Sequence, residues 1–237
     1  MNVTAGRLVQ LTPMRAAIGR RMAESQSNVP HFYVSTEIST ASAEAYLRRV
    51  SEAAGTNVTM TAGLVRACAV ALREFPIFNS VWSDEGLLMV DEINVGVAVA
   101  LDGGLVAPAV LGCGELDLLT TAERVADLVE RARAGKLRAP EMTDATFTLT
   151  NLGMFEVSAF AALVPPPQVG ILAVGRSIRR AIVGEDGTVT TGRMMVATLS
   201  ADHRAVDGAD AARWLGAFKR SLEHPESLAN RFAEEPS

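Results

Sequence analysis

Between residues 13 and 54 the apolar pattern changes period twice. "LTPMRAAIGRRMAESQSN" carries Ala17, Ile18 and Met22 at helical spacing, behind Thr12 as cap and Pro13 at the first helical position. "PHFYVSTEIS" then alternates, with Phe32, Val34, Thr36 and Ile38 on one face and His31, Tyr33, Ser35 and Glu37 on the other, which predicts a strand. "SAEAYLRRVSEAAG" returns to the helical pattern and stops at Gly55. A strand with one apolar face, set between helices, belongs to a sheet on which helices pack.

The same reading extends along the chain. "TMTAGLVRACAVALREFP" places Leu64, Ala67, Cys68, Ala71, Leu72 and Phe75 on one helical stripe that Pro76 ends. "EINVGVAVALDGGLVAPAV" reads as two strands around an Asp102-Gly103-Gly104 turn, followed by a helix near residues 117–134. "TFTLTNLG" is a short strand running into a loop, and "PPPQVGILAVG" a proline-stiffened approach to a buried strand. Two more strands flank "GEDG", the second entering "TLSADHR", and a last helix carries Trp214, Leu215, Phe218 and Leu222 on one face. Strands and helices mix without strict alternation, which predicts an α/β (α+β) fold: one domain built on a mixed sheet flanked by helices.

The totals narrow the function. With 49% hydrophobic and 21% charged residues the chain can bury a real core, and a net charge of −5 without a basic stripe disfavours nucleic acid. Two cysteines and three histidines make neither a disulfide framework nor a zinc cluster, so no metal is expected. "MNVTAGRLVQ" lacks the apolar run of a signal peptide and no window approaches 18 uninterrupted apolar residues, which predicts a cytoplasmic protein with no membrane partner. No Gly-x-Gly-x-x-Gly, Walker-type lysine loop or Gly-x-Ser-x-Gly elbow is present.

His203, in a polar turn after an apolar strand, is the one strong acid–base candidate, although a strand-end histidine can also be idle. Asp207 has an ordinary role open to it as N-cap of the helix beginning at Gly208. Thr146, Thr148 and Thr150 share one strand face. The first two suit β-propensity alone, while Thr150, at the strand end beside Asn151, is placed where a hydroxyl can donate to an oxyanion. Cys68 reads as core, Cys113 in "LGCGEL" as a cysteine open to exposure, and His224 as a partner for a helix C-terminus.

Several segments together resemble one family. "DHRAVDG" resembles the active-site signature of the dihydrolipoamide acyltransferase cores of 2-oxo-acid dehydrogenase complexes, and "FTLTNLGMF" with "PPPQVGILAVG" resembles their second signature. "LTPMRAAIGRRMAESQSNVPHFYVSTEI" and "INVGVAVALDGGLVAPAV" are similar to the family's opening helix and strand and to its central strands, in the same order, from about residue 9 to residue 231. The resemblance implies the chloramphenicol-acetyltransferase-like fold, a homotrimer with active sites between subunits, and acyl transfer between coenzyme A and the thiol of dihydrolipoamide. It implies His203 as general base, Thr150 as oxyanion donor and Asp207 as the acid that orients the local structure, and it places Asp102 and Arg15 near the coenzyme A channel. His31 also matches a family feature, beside its reading as a structural histidine at a strand start.

The resemblance sets expectations for partners and boundaries as well. The predicted layout is a lead-in over 1–10, the catalytic domain over 11–231 and a polar tail over 232–237. No lipoylation-type Asp-Lys-Ala turn occurs, so the lipoyl group is expected from another domain or chain, with dehydrogenase-complex enzymes as further partners. The ending "NRFAEEPS" is acidic where family cores end apolar, which predicts a trimer rather than a cage of trimers. Two alternatives stay open: a stand-alone coenzyme A-dependent acyltransferase acting on a small molecule, and a non-catalytic assembly core. Met154, Phe155 and Phe160 are candidates for lining the acyl pocket.

Overall fold

The computed structural model describes residues 6–101 and 103–229. Thr12 accepts a hydrogen bond from the Arg15 N–H and opens α1 (Pro13–Asn28), which is followed by β1 (His31–Ser39). The helix α2 (Ala41–Ala54) ends at Gly55, whose φ of 64° lies in the left-handed region that glycine enters without a side-chain clash. Next come α3 (Met60–Glu74) and a hairpin of β2 (Ser80–Ser83) and β3 (Gly86–Met89). They are followed by β4 (Val95–Val97), β5 (Val99–Leu101), β6 (Gly104–Val106) and β7 (Ala109–Val110). The remainder is α4 (Leu118–Arg133), α5 (Ala139–Thr143), β8 (Phe147–Asn151), β9 (Gly170–Val174), β10 (Ile178–Val183), β11 (Val189–Asp202) and α6 (Gly208–Glu223).

The main sheet runs β1–β11–β9–β8–β4–β7, with β10 also paired to β11. The pairs β4/β8 and β8/β9 are parallel and the others antiparallel, so the mixed sheet expected from the sequence is present. Helices α2, α3, α4 and α6 cover one face. Trp214 of α6 anchors that layer, with ring centroids 5.0 Å from Phe147, 5.9 Å from Phe78 and 5.7 Å from Phe218. Fully burying rings of this size stabilises the fold by about 2–3 kcal/mol each. On the opposite face a smaller cluster of Val29, Val164 and Ile171 holds the segment between β8 and β9 against the sheet.

The reading of two strands around the Asp102 turn needs correction. The hairpin is broken into four pieces: β4 and β7 stay in the main sheet, while β5 and β6 form a separate ribbon. Pro108 has no N–H to give the ladder, and the Ala98 N–H turns aside to the Leu149 carbonyl, 2.9 Å away, so pairing fails at both positions. The hairpin of β2 and β3 and the short α5 are additions to the sequence-based layout. Among the described residues no helix is long and apolar enough to cross a membrane.

Candidate active site

Thr148 and Thr150 of β8, and Thr146 just before it, face away from α3, since Phe147 and Leu149 alternate with them into the core. Their hydroxyls have different fates. Thr146 Oγ1 donates to Asn79 Oδ1 at 2.6 Å and accepts the Asn94 N–H at 3.0 Å. Thr148 Oγ1 donates to Gln168 Oε1 at 2.7 Å, and Gln168 Nε2 donates on to the Ala145 carbonyl. Thr150 Oγ1 has no hydrogen-bond partner among the described residues, though the residue is 8% exposed. It lines a cavity of about 430 Å³ whose other walls include Ile18, Arg21 and Met22 of α1, Leu105 of β6 and Gln168. A nearly buried hydroxyl left unspent beside a cavity is available to a ligand.

His203 stands immediately after β11. Its N–H donates to the Pro30 carbonyl at 3.0 Å, and its exposed ring leans on Phe32 with centroids 4.5 Å apart. Neither ring nitrogen has a hydrogen-bond partner among the described residues. On either side lie two fixed acids. Asp202 is buried and paired with Arg204 at 2.6 Å. Asp207 caps α6, its carboxylate accepting the N–H groups of Ala209 at 2.7 Å and Asp210 at 3.0 Å. These two bonds, aided by the charges of Arg213 and His203, hold the Asp207 carboxyl below the usual carboxylate range.

One chain does not bring His203 and Thr150 together. Thr150 sits opposite Ala173 of β9, Ala173 opposite Thr198 of β11, and His203 lies five residues further along a strand running the other way. At about 3.4 Å per residue and about 4.8 Å per strand the two are on the order of 20 Å apart, at opposite ends of the sheet.

The other candidates separate just as clearly. Arg15 is exposed on the first turn of α1 and does not line the Thr150 cavity, whereas Arg21 does and donates to the Pro166 carbonyl at 2.9 Å. Asp102 lies outside the described residues. His31 donates from Nδ1 to the Val29 carbonyl at 2.8 Å and accepts the Val164 N–H on Nε2 at 3.0 Å, which is a structural role. Cys113 is buried rather than exposed, donates to the Val110 carbonyl, and is pushed up to about 12 by burial. Cys68 is raised by burial as well, so neither thiol supplies a nucleophile. Met154 and Phe155 are exposed, and neither they nor Phe160 line the Thr150 cavity.

A second cleft, of about 640 Å³, was not foreseen. It opens on the helix side of the β8 end between Asn151, Met60 and Met154 and is lined by Arg176, Arg179 and Arg193. Arg193 is tied to Glu44 at 2.8 Å and Arg176 reaches Glu156 at 3.4 Å, while Arg179 stands directly opposite Arg193 in the register of β10 and β11 without an ion pair among the described residues. Arg176 and Arg179 of "RSIRR", residues 176–180, are the signal that sequence reading passed over.

The order of the sheet and its helix-covered face are those of the chloramphenicol acetyltransferase-like fold. A chloramphenicol acetyltransferase structure superposes with a TM-score of 0.57 over 88% of this chain and 94% of its own, at 15% identity. More narrowly, the chain belongs to the family of the 2-oxoacid dehydrogenases acyltransferase (catalytic domain), whose model matches residues 4–230. The cubic core of the pyruvate dehydrogenase multienzyme complex superposes with a TM-score of 0.89, covering 95% of each chain at 29% identity. The dihydrolipoyllysine-residue acetyltransferase component of the pyruvate dehydrogenase complex from Rickettsia felis is 37% identical over 223 residues, 92% of this chain and 54% of that protein. The chain thus spans about half the length of this curated relative.

Proposed function

We propose that this chain is the catalytic core of a dihydrolipoamide acyltransferase, moving an acyl group between coenzyme A and the thiol of dihydrolipoamide. The observation that carries the reading is the complementary pair of half-sites: an unspent Thr150 hydroxyl in a cavity and, at the far end of the same sheet, a His203 ring whose nitrogens have no hydrogen-bond partner among the described residues. Each half lacks what the other supplies, so the working unit is a homotrimer in which His203 of one subunit meets Thr150 of the next. On this reading the catalytic domain is assigned to residues 11–231, its setting is the cytoplasm, and its partners are a lipoyl domain and the enzymes of its complex.

In this site the thiol of dihydrolipoamide, mostly protonated at neutral pH as an alkyl thiol is, gives its proton to the His203 imidazole as sulfur attacks the thioester carbonyl. Charge collects on the carbonyl oxygen, where the Thr150 hydroxyl donates. A fixed donor of this kind is worth roughly 3 kcal/mol. Collapse of the tetrahedral intermediate breaks the bond to the coenzyme A sulfur, which takes the proton back from the imidazolium. Asp207 holds the turn after His203 by capping α6. Both cysteines are buried and protonated, which supports direct transfer without an acyl-enzyme. The anionic end of coenzyme A suits the cleft of Arg176, Arg179 and Arg193, beside the end of the strand that carries Thr150; Arg15 and Asp102 are assigned to coenzyme A by the family resemblance alone.

The test is acyl transfer from acetyl-coenzyme A to free dihydrolipoamide, with mass measured by light scattering. Transfer by a trimer that disappears in His203→Ala, with the trimer intact, supports the reading. A folded trimer inactive with acetyl-, succinyl- and isobutyryl-coenzyme A defeats it and favours a different acceptor or a purely structural core.

A further inference from the structure

The turn that presents His203 is tied down from more sides than capping requires. Asp202, 1% exposed, donates its N–H to the Val169 carbonyl at 2.9 Å, and its own carbonyl accepts from Ala205 at 3.0 Å and Val206 at 3.2 Å. Its carboxylate reaches across His203 and grips Arg204 through the backbone N–H at 3.0 Å, Nε at 3.0 and 3.1 Å, and Nη2 at 2.6 Å. A face of that guanidinium lies on the Trp82 ring, 4.2 Å from its centroid. Trp82 is in turn fixed by its N–H on the Pro167 carbonyl at 2.8 Å, and its neighbour Val81 bridges Gln168. The Arg204 and Trp82 contacts are not needed to close the β11–α6 turn, since Asp207 and the Asp202 carbonyl already do that.

We infer that Arg204 is a positioning residue for His203, held between the Asp202 carboxylate and the Trp82 ring. This rests on the acyltransferase reading for its kinetic consequence but on geometry alone for its structural one. A planar guanidinium can take a carboxylate edge-on and an aromatic ring face-on at once, and a lysine ammonium cannot match both. The residue between the two grips is the histidine, so fixing residues 202 and 204 fixes the backbone of 203. The Phe32 ring, 4.5 Å from it, then gives the imidazole a surface to pack on. The charges around it are Asp202 and Arg204 on its own turn and Asp207 on α6, with Asp84 facing Arg204 from the β2–β3 turn. Arg204 balances the nearest carboxylate while contributing no group to the reacting atoms. The cation–aromatic contact is the adjustable part, because Trp82 belongs to a two-stranded hairpin that the main sheet does not contain.

The experiment uses the whole chain and four variants: Arg204→Lys, Arg204→Met, Trp82→Leu and Trp82→Phe. Two readouts are taken, the kcat and KM of acyl transfer and, on histidine- and phenylalanine-labelled protein, the nuclear Overhauser contact between the His203 and Phe32 rings. With three histidines in the chain, His203→Ala assigns the signal directly. Trp82→Leu and Arg204→Met are expected to lose the ring contact and to lower kcat about tenfold while KM for coenzyme A changes less than twofold. Trp82→Phe, which keeps an aromatic face, returns both, and Arg204→Lys falls between. A ring contact retained in folded Trp82→Leu and Arg204→Met overturns the inference, as does a loss seen only in KM. A wild type that transfers no acyl group defeats the acyltransferase reading instead, and the ring contact still decides the positioning role.

Discussion

Thr148 donates its hydroxyl to Gln168 Oε1 at 2.7 Å and thereby closes off a threonine two residues from Thr150 on the same strand face. The pairing sorts one structural hydroxyl from one free hydroxyl, although both are threonines of a β-strand. Removing each should therefore read out differently. Thr148→Val leaves the Gln168 acceptor buried and unmatched and is expected to cost about 1–3 kcal/mol in urea unfolding, with acyl transfer in the folded fraction little changed. Thr150→Val is expected to unfold at nearly the wild-type midpoint and to lose about 10²–10³-fold in kcat.

Asp207 is a cap first. Asp207→Asn preserves an oxygen for the N–H groups of Ala209 and Asp210, and asparagine caps helices as well as aspartate does. It should keep most of the activity and the thermal midpoint, whereas Asp207→Ala should lower both. Activity lost in Asp207→Asn at an unchanged midpoint would instead assign the carboxylate a part in proton movement.

The acid limb of stability should belong largely to Glu141. Its carboxylate, 2% exposed, is gripped by Arg131 at 2.6 Å and by Arg138, and the hydrogen bonds from Arg131, ahead of those from Arg138, hold it far below the usual carboxylate range. A folded pKa depressed below the unfolded value contributes stability that is complete above the unfolded value and is lost as pH falls toward the folded one. The urea midpoint should therefore decline as pH drops below about 4.5. Glu141→Gln should be less stable at neutral pH and show a flatter acid limb.

The arginine cleft gives a substrate-dependent outcome. Arg179→Glu places a negative charge opposite Arg193 in the β10–β11 register and should raise KM for acetyl-coenzyme A about tenfold. With acetyl-pantetheine, which has no nucleotide phosphates, KM should be unchanged. Equal effects on both thioesters would remove the phosphates from this cleft.

Much of the local structure was readable directly from residues. Thr12 and Pro13 marked the start of α1, Gly55 the end of α2 and Asp207 the start of α6, because capping and left-handed turns depend on a few consecutive residues. The alternation of residues 31–38 set the faces of β1 for the same reason. His203, Thr150 and Asp207 were identifiable as the residues to watch from short motifs and the family they resemble.

Other features had no local signature. Whether Cys113 is exposed, which of three threonine hydroxyls is free, and that Arg176, Arg179 and Arg193 share a cleft all follow from which strands lie side by side. So does the split of the Asp102 hairpin, where Ala98 bonds to Leu149, some fifty residues away in sequence, rather than across its own turn. By itself the sequence determined the longer elements, their caps and their buried faces, since these are governed by interactions over a few residues. Strand order, burial and the spending of each buried hydrogen bond were decided only in the tertiary structure, because they depend on partners brought together across the whole chain.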